Sequence, residues 1–258
     1  MLQIIDIPVL ADNYIYILHD DDSGATAVID PAISEPVLAA LSARGWKLDM
    51  VLNTHHHHDH IGANLALKLA TGCHVVGAAS DAQRIPGLDK ALIDGDCFML
   101  GQYELQALNT PGHTSGHIVY YCPIVPALFC GDTLFSLGCG RLFEGSPQDM
   151  LLSLQRIKSL PAETLIYCTH EYTLSNALFA LTVDPNNLGL QQYYALICEK
   201  RRQGLSTLPS NLALELATNP FLRTDKPILR SAVGCDDTSD EVEVFARLRR
   251  LKDDFKAD

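Results

Sequence analysis

Thr54-His55-His56-His57-His58-Asp59-His60 is the stretch from which the rest of the chain can be read. Ten histidines occur in 258 residues, and half of them crowd into this run. A purification tag would sit at a terminus. This run is internal and follows the apolar strand Met50-Val51-Leu52. It lies between a predicted strand and a predicted helix, where loops commonly carry function. In extended or turn backbone, residues two apart project the same way. His55 and His57 can therefore meet one ion while Asp59 and His60 meet another.

Matching donors follow the ends of other predicted strands. His113 lies in Thr110-Pro111-Gly112-His113-Thr114-Ser115-Gly116-His117, Asp132 in Phe129-Cys130-Gly131-Asp132-Thr133, and His170 in Tyr167-Cys168-Thr169-His170-Glu171-Tyr172. Imidazole and carboxylate without thiolate suit zinc, iron or manganese rather than a structural zinc site. These histidines and aspartates exceed what one tetrahedral ion needs. Two ions sharing Asp132 as a bridge would use the whole set and leave room for a bridging water.

Composition removes other classes of function. The chain is 47% hydrophobic and 19% charged, with 17 Gly and 13 Pro, a globular balance. Lys+Arg 19 against Asp+Glu 31 leaves a net charge of −12 at pH 7, which argues against general affinity for nucleic acid or anionic membrane. No apolar run approaches the roughly 18 residues that span a bilayer. Met1-Leu2-Gln3-Ile4-Ile5-Asp6 lacks the basic start of a signal peptide. The eight cysteines, Cys73, Cys97, Cys122, Cys130, Cys139, Cys168, Cys198 and Cys235, form no CxxC pair. Reduced, mostly buried thiols in a cytoplasmic compartment are expected.

Along the chain, 13–18 and 25–29 flank the polar stretch 20–24 as a hairpin would. Ser34 is expected to cap a helix through Arg44, closed by Gly45. A strand over 48–52 leads into the His run, and a helix over about 61–71 follows, stopping at Gly72. Further strands are predicted at 73–78, 103–109, 117–122, 127–131 and 164–168. A helix over about 147–159 has Ser146 as N-cap and Pro147 at its first position. After about residue 172 the texture becomes helical, with predicted helices at 173–183, 187–203, 210–217 and 239–254. Thr238-Ser239-Asp240-Glu241 has capping-box spacing, and Val244, Phe245, Leu248, Leu251 and Phe255 fall on one face of the last helix. Strands with interspersed helices point to a layered α/β sandwich.

Taken together, THxHxDH, PGHTSGH, GDTLF and the late TH resemble the ligand series of the metallo-β-lactamase fold. Beyond that core the chain resembles glyoxalase II, the hydroxyacylglutathione hydrolases. The matching segments are Gly131-Asp132-Thr133-Leu134-Phe135, Gly138-Cys139-Gly140-Arg141-Leu142-Phe143-Glu144-Gly145, Cys168-Thr169-His170-Glu171-Tyr172-Thr173, Asn219-Pro220-Phe221-Leu222-Arg223 and Arg249-Arg250-Leu251-Lys252-Asp253. The resemblance implies an α/β fold: a metallo-β-lactamase-type αββα catalytic sandwich over 1–172, then a smaller all-helical glutathione-binding domain over 173–258. It places a first metal site on His55, His57 and His113 and a second on Asp59, His60 and His170, with Asp132 bridging. Zinc is the expected metal, with iron and manganese as alternatives. His56, His58 and His117 fall outside the ligand set, His117 with a supporting role. His19 and His74 are ordinary strand or surface residues.

The implied reaction is hydrolysis of S-D-lactoylglutathione and other S-2-hydroxyacylglutathiones to glutathione and D-lactate, the second step of methylglyoxal detoxification. A metal-bound hydroxide held by Asp132 and Asp59 would attack the thioester carbonyl, since paired cations lower the pKa of a shared water. Glutathione needs a local cationic patch in so acidic a protein. The resemblance supplies Arg141, where many relatives have Lys, and Tyr172. It adds Arg249 and Lys252, three apart on one helix face, to clasp the glycine carboxylate. Phe143 stands where some relatives carry Tyr, and Ala63 where a second Gly is common. The expected partner is a small glutathione thioester, with no nucleic acid and no membrane, and the chain is expected to act as a monomer. Three alternatives stand beside this reading. A lactam hydrolase often carries Cys at a metal position, where this chain has Asp132. A persulfide dioxygenase uses one iron and a much shorter C-terminal part. A metal-binding module would show no turnover.

Overall fold

The computed structural model describes residues 1–256. The chain divides into two compact units, Met1–Asn109 with Thr114–Gly131, and Thr110–His113 with Asp132–Asp258.

In the first unit the strand Asn13–Asp20 (β2) is buried at every position, which requires cover on both faces. It pairs antiparallel with Leu2–Val9 (β1) and with Thr26–Ile29 (β3). Met50–Leu52 (β4), His74–Ala78 (β5) and Leu88–Leu92 (β6) then add in parallel. Ile15 and Ile17 pack with Val37 and Leu41 of helix Ser34–Arg44 (α1) and with Leu67 of helix Asn64–Thr71 (α3). Tyr16 alternates to the opposite face, and its ring meets Phe129 at 5.9 Å. Phe129 belongs to Ala127–Gly131 (β10), which continues an antiparallel run of Cys97–Leu100 (β7), Tyr103–Asn109 (β8) and Ile118–Cys122 (β9). Helices therefore cover one face of the first sheet and a second sheet covers the other.

Several boundaries differ from the sequence reading. Ile33, not Ser34, occupies the N-cap of α1, and no side chain caps it. The helix expected over 61–71 is two pieces, His58–Ile61 (α2) and α3. Gly45 and Gly72 close their helices in left-handed backbone, as expected. Strands β1, β6 and β7 escaped the sequence reading. The first two are the edges of their sheet, where exposed positions, Pro8 and the charges of Asp89 and Lys90 blur the apolar pattern.

In the second unit, Leu134–Phe135 (β11) and Gly138–Cys139 (β12) form a small hairpin. Helix Pro147–Lys158 (α4) opens on a capping box between Ser146 and Asp149. Leu165–Cys168 (β13) pairs with the two-residue strand Ser210–Asn211 (β14), an exception to the helical texture of this region. Thr173–Val183 (α5), Leu188–Arg202 (α6), Leu212–Thr218 (α7) and Glu241–Asp254 (α9) follow the sequence expectation closely. The short helix Pro227–Ala232 (α8) was not anticipated. On α9 the cap is Asp240, whose side chain accepts from Val242 N. Leu251 is 44% exposed while Arg249 is buried, so the apolar stripe ends earlier than its spacing suggests.

Gly131 closes β10 at φ +48°, and a Cβ there would lie 2.4 Å from Thr54 Oγ1 and 2.8 Å from His117 Nε2. Left-handed backbone and a clash with buried polar atoms both oppose a side chain. Gly131→Ala should lower stability by about 1–3 kcal/mol, read as a shift in the urea midpoint. An unchanged midpoint would show that the loop relaxes freely.

Candidate active site

The first unit supplies its donors from strand ends. Asp30 follows β3 in left-handed backbone, at φ 48°. Thr54 follows β4 and gives Asp30 both its backbone N–H, at 2.8 Å, and its hydroxyl, at 2.6 Å. With its proton committed to Asp30, the Thr54 hydroxyl can only accept from His55 Nδ1, 3.1 Å away. That tautomer leaves the His55 Nε2 lone pair facing His57 Nδ1 at 3.0 Å. Two imidazole nitrogens this close are held together by a proton or a cation between them.

Asp59 and His60 lie on α2. His60 Nδ1 is 3.1 Å from Asp30 Oδ2, and its Nε2 is 3.5 Å from Asp59 Oδ2. Asn13 Nδ2 donates to the same Asp59 oxygen at 3.0 Å. A carboxylate behind the far nitrogen of a metal-binding imidazole is the usual orienting arrangement. His56 is held elsewhere: its Nδ1 is 3.0 Å from Asp81 Oδ2, and Arg84 Nη1 lies 3.3 Å from its Nε2. His117 is buried, with its ring stacked on His55 at 4.8 Å.

The second unit arranges its donors around Asp132. One carboxylate oxygen lies 3.4 Å from His113 Nε2 and the other 3.5 Å from His170 Nε2. Both separations exceed an ordinary N–H···O bond, and each suits a His and carboxylate lone pair directed at a cation. Thr169 Oγ1 donates to Asp132 Oδ1 at 2.6 Å. His113 Nδ1–H donates to the Arg141 carbonyl at 2.8 Å, which leaves Nε2 as the ligand atom. The His170 ring stacks on Tyr172 at 4.7 Å, with Phe135 edge-on at 5.9 Å. With no thiolate among the donors, these His and Asp clusters fit divalent metal ions.

A cavity of about 390 Å³ in the same unit has His113 and Asp132 in its wall and gathers Arg141, Phe143, Tyr172, Arg249, Lys252 and Asp253. Phe143 meets the His113 ring edge-on at 5.2 Å. Lys252 Nζ lies 3.2 Å from Ser175 Oγ and over the rings of Phe179 and Phe255. Burial, aided by the nearby Arg249 charge, pushes the Lys252 ammonium down to about 8. Arg249 is only partly available to a ligand: Nη1 donates to the Cys139 carbonyl at 2.8 Å, and the guanidinium lies over Phe221 at 5.1 Å.

Residues 9–170 match the metallo-beta-lactamase superfamily, and residues 171–255 match the hydroxyacylglutathione hydrolase C-terminus. The hydroxyacylglutathione hydrolase of Methylococcus capsulatus is 57% identical over 256 residues, covering 99% of this chain and 100% of that protein. The chain belongs to the hydroxyacylglutathione hydrolase family. The relative of the same name from Rhodospirillum rubrum is 50% identical over 254 residues, covering 98% and 99% of the two chains. Among solved structures, ETHE1 from Myxococcus xanthus superposes with a TM-score of 0.68 at 25% identity, covering 97% of this chain and 91% of that one. TTHA1623, solved in a di-iron-bound form, gives 0.62 at 25% identity, covering 85% and 100%.

Sequence reasoning missed the residues that orient the donors, Asn13, Asp30 and Thr169, and Asp81, which holds His56 away from them. Asp30 carried a usable signal, because Val28-Ile29-Asp30-Pro31 is another apolar strand ending in an acid. Thr169 stood inside a quoted motif without a role. Asn13 and Asp81 reach the His run from far along the chain and have no local signature.

His57→Ala should strip metal from the purified hydrolase, whereas His56→Ala, which removes a partner of Asp81, should retain it. Metal analysis of both variants checks this. Equal loss from the two would put the alternation of the His run in the wrong register.

Proposed function

We propose that this hydrolase cleaves S-D-lactoylglutathione and related S-2-hydroxyacylglutathiones to glutathione and D-lactate, the second step of methylglyoxal removal. The observation that carries the reading is the cavity of the second unit. In a chain of net charge −12, it collects Arg141, Arg249 and Lys252 beside His113 and Asp132. A ligand with two carboxylates finds cations there, and two of them, Arg249 and Lys252, lie in the part of the chain that matches the family's own C-terminal domain. Residues 1–172 act as the catalytic domain and 173–258 as the glutathione-binding domain.

In this reading His55, His57 and His113 hold one ion, Asp59, His60 and His170 the other, and Asp132 serves both. The order of the donors along the chain and the tautomers set inside each unit support the assignment. Zinc suits the donors, and iron or manganese would also be accepted. When bound, the two ions supply Lewis acidity and a nucleophilic water at neutral pH. The protein's own work is orientation. Thr54 keeps His55 Nε2 unprotonated, the Arg141 carbonyl does the same for His113, and Thr169 pins one oxygen of Asp132. Arg141, Lys252 and Tyr172 hold the peptide part of the substrate. A thiolate, with a conjugate-acid pKa of about 8.5, leaves far more readily than an amine, so protonating it is less urgent. A cytoplasmic, reducing compartment suits the eight free thiols.

Turnover of S-D-lactoylglutathione, measured with metal content on one sample, tests the reading. Two metals per chain with hydrolysis is expected. Asp132→Ala should lose at least one metal and lower kcat by orders of magnitude, and full activity with both metals retained would sink the shared-ligand assignment.

Lys252 adds a pH signature. Its ammonium is present below about 8 and lost above it, so its attraction for a carboxylate holds at low pH and fades as pH rises. KM should climb between pH 7.5 and 9.5. Lys252→Arg, charged throughout, should flatten that climb. A parallel climb in both proteins would remove Lys252 from the binding role.

A further inference from the structure

The cavity's arginines already share a carboxylate. Asp253 Oδ1 lies 3.2 Å from Arg141 Nε and 3.0 Å from Arg249 Nη2. Arg141 comes from the loop after β12, while Arg249 and Asp253 stand one turn apart on α9. The Asp253 side chain is 35% exposed and lines the cavity itself. Lys252, the third cation, is engaged separately with Ser175. Asp253 thus bridges the two guanidiniums, as a ligand carboxylate entering between them would.

We propose that Asp253 sets the affinity of this site, as an internal carboxylate that holds Arg141 and Arg249 paired and competes with the substrate's carboxylate for them. The inference rests on the glutathione-thioester reading above. Two anions at one pair of arginines repel each other, so a ligand carboxylate must displace Asp253 or take only the remaining donors. Either event costs part of the attraction that the cations would otherwise give. The same pairing gives an empty cavity two aligned guanidiniums in place of two mutually repelling ones. Affinity for a ligand carboxylate is thereby lowered, while a ligand without a carboxylate at this position neither meets nor relieves that competition.

The experiment uses Asp253→Asn, which keeps the shape and removes the charge. Binding of S-methylglutathione, a thioether the enzyme cannot hydrolyse, is measured by calorimetry beside its glycine-amide analogue. Asp253→Asn should bind S-methylglutathione roughly 3- to 5-fold more tightly, the scale of a partly exposed ion pair. Binding of the amide should hardly change. Raising salt should weaken the variant's binding of the acid more than the wild type's, because more net positive charge is being screened. Asp253→Ser, which lacks the carboxylate and most of the side chain, should shift affinity in the same direction. Unchanged or weaker binding in both variants would overturn the proposal and leave Asp253 as a structural pairing. Failure of the wild type itself to bind S-methylglutathione would overturn the glutathione reading, and this inference with it.

Discussion

The buried carboxylate of Asp30 is the interaction on which the His-rich loop of the first unit depends. It sits at the end of β3, accepts two hydrogen bonds from Thr54 and faces His60 Nδ1. Through Thr54 it also sets which nitrogen of His55 carries the proton. Charge-assisted bonds of this kind each contribute about 1.5–3 kcal/mol, while leaving such a carboxylate buried and unpaired would cost several. Strand β3, the parallel strand β4 beside it and the first turns of the His run are therefore tied at one point. The left-handed backbone of Asp30 is the local strain that this tie holds in place.

The second unit solves a similar problem with another buried acid. Glu215 is fully buried and accepts from Ser136 Oγ at 2.9 Å, Leu137 N at 2.8 Å, Asn219 Nδ2 at 3.0 Å and the Ser210 hydroxyl. Burial raises its carboxyl above the usual range, and these donors oppose that rise. The bonds clamp the hairpin of β11 and β12 at Leu137, itself in left-handed backbone at φ 58°. Asn219 also donates to the carbonyls of Phe135 and Gly138. Phe135, which stands edge-on to both His170 and Tyr172, owes its position to this clamp. Cys139, at the far end of the hairpin, is held by Arg249. Each unit thus orients its chemistry-bearing side chains through a buried carboxylate.

What could be read from the chain alone followed from local spacing. The candidate donors announce themselves because a loop must present them within a few residues of a strand end. Helices α4 and α9 are legible because caps and apolar periodicity are short-range signals. Edge strands such as β1 and β6 were not, since half of each faces solvent and no alternation survives. The pattern after the His run reads as one helix because α2 and α3 are separated only by Gly62 and Ala63.

By itself the sequence determined the class of chemistry, the family, the layered α/β architecture and the positions of the candidate donors. Residue type and near-neighbour spacing carry the chemistry, the layering and the donor positions, and the resemblance of whole motifs carries the family. Only the tertiary structure decided which nitrogen of each imidazole is left for a ligand, because that depends on partners such as Asp30 and the Arg141 carbonyl. It also decided that Arg249 is largely committed to Cys139 and Asp253 instead of standing free on a helix face. Hydrogen-bond partners far apart along the chain are brought together by packing, and no local pattern encodes them.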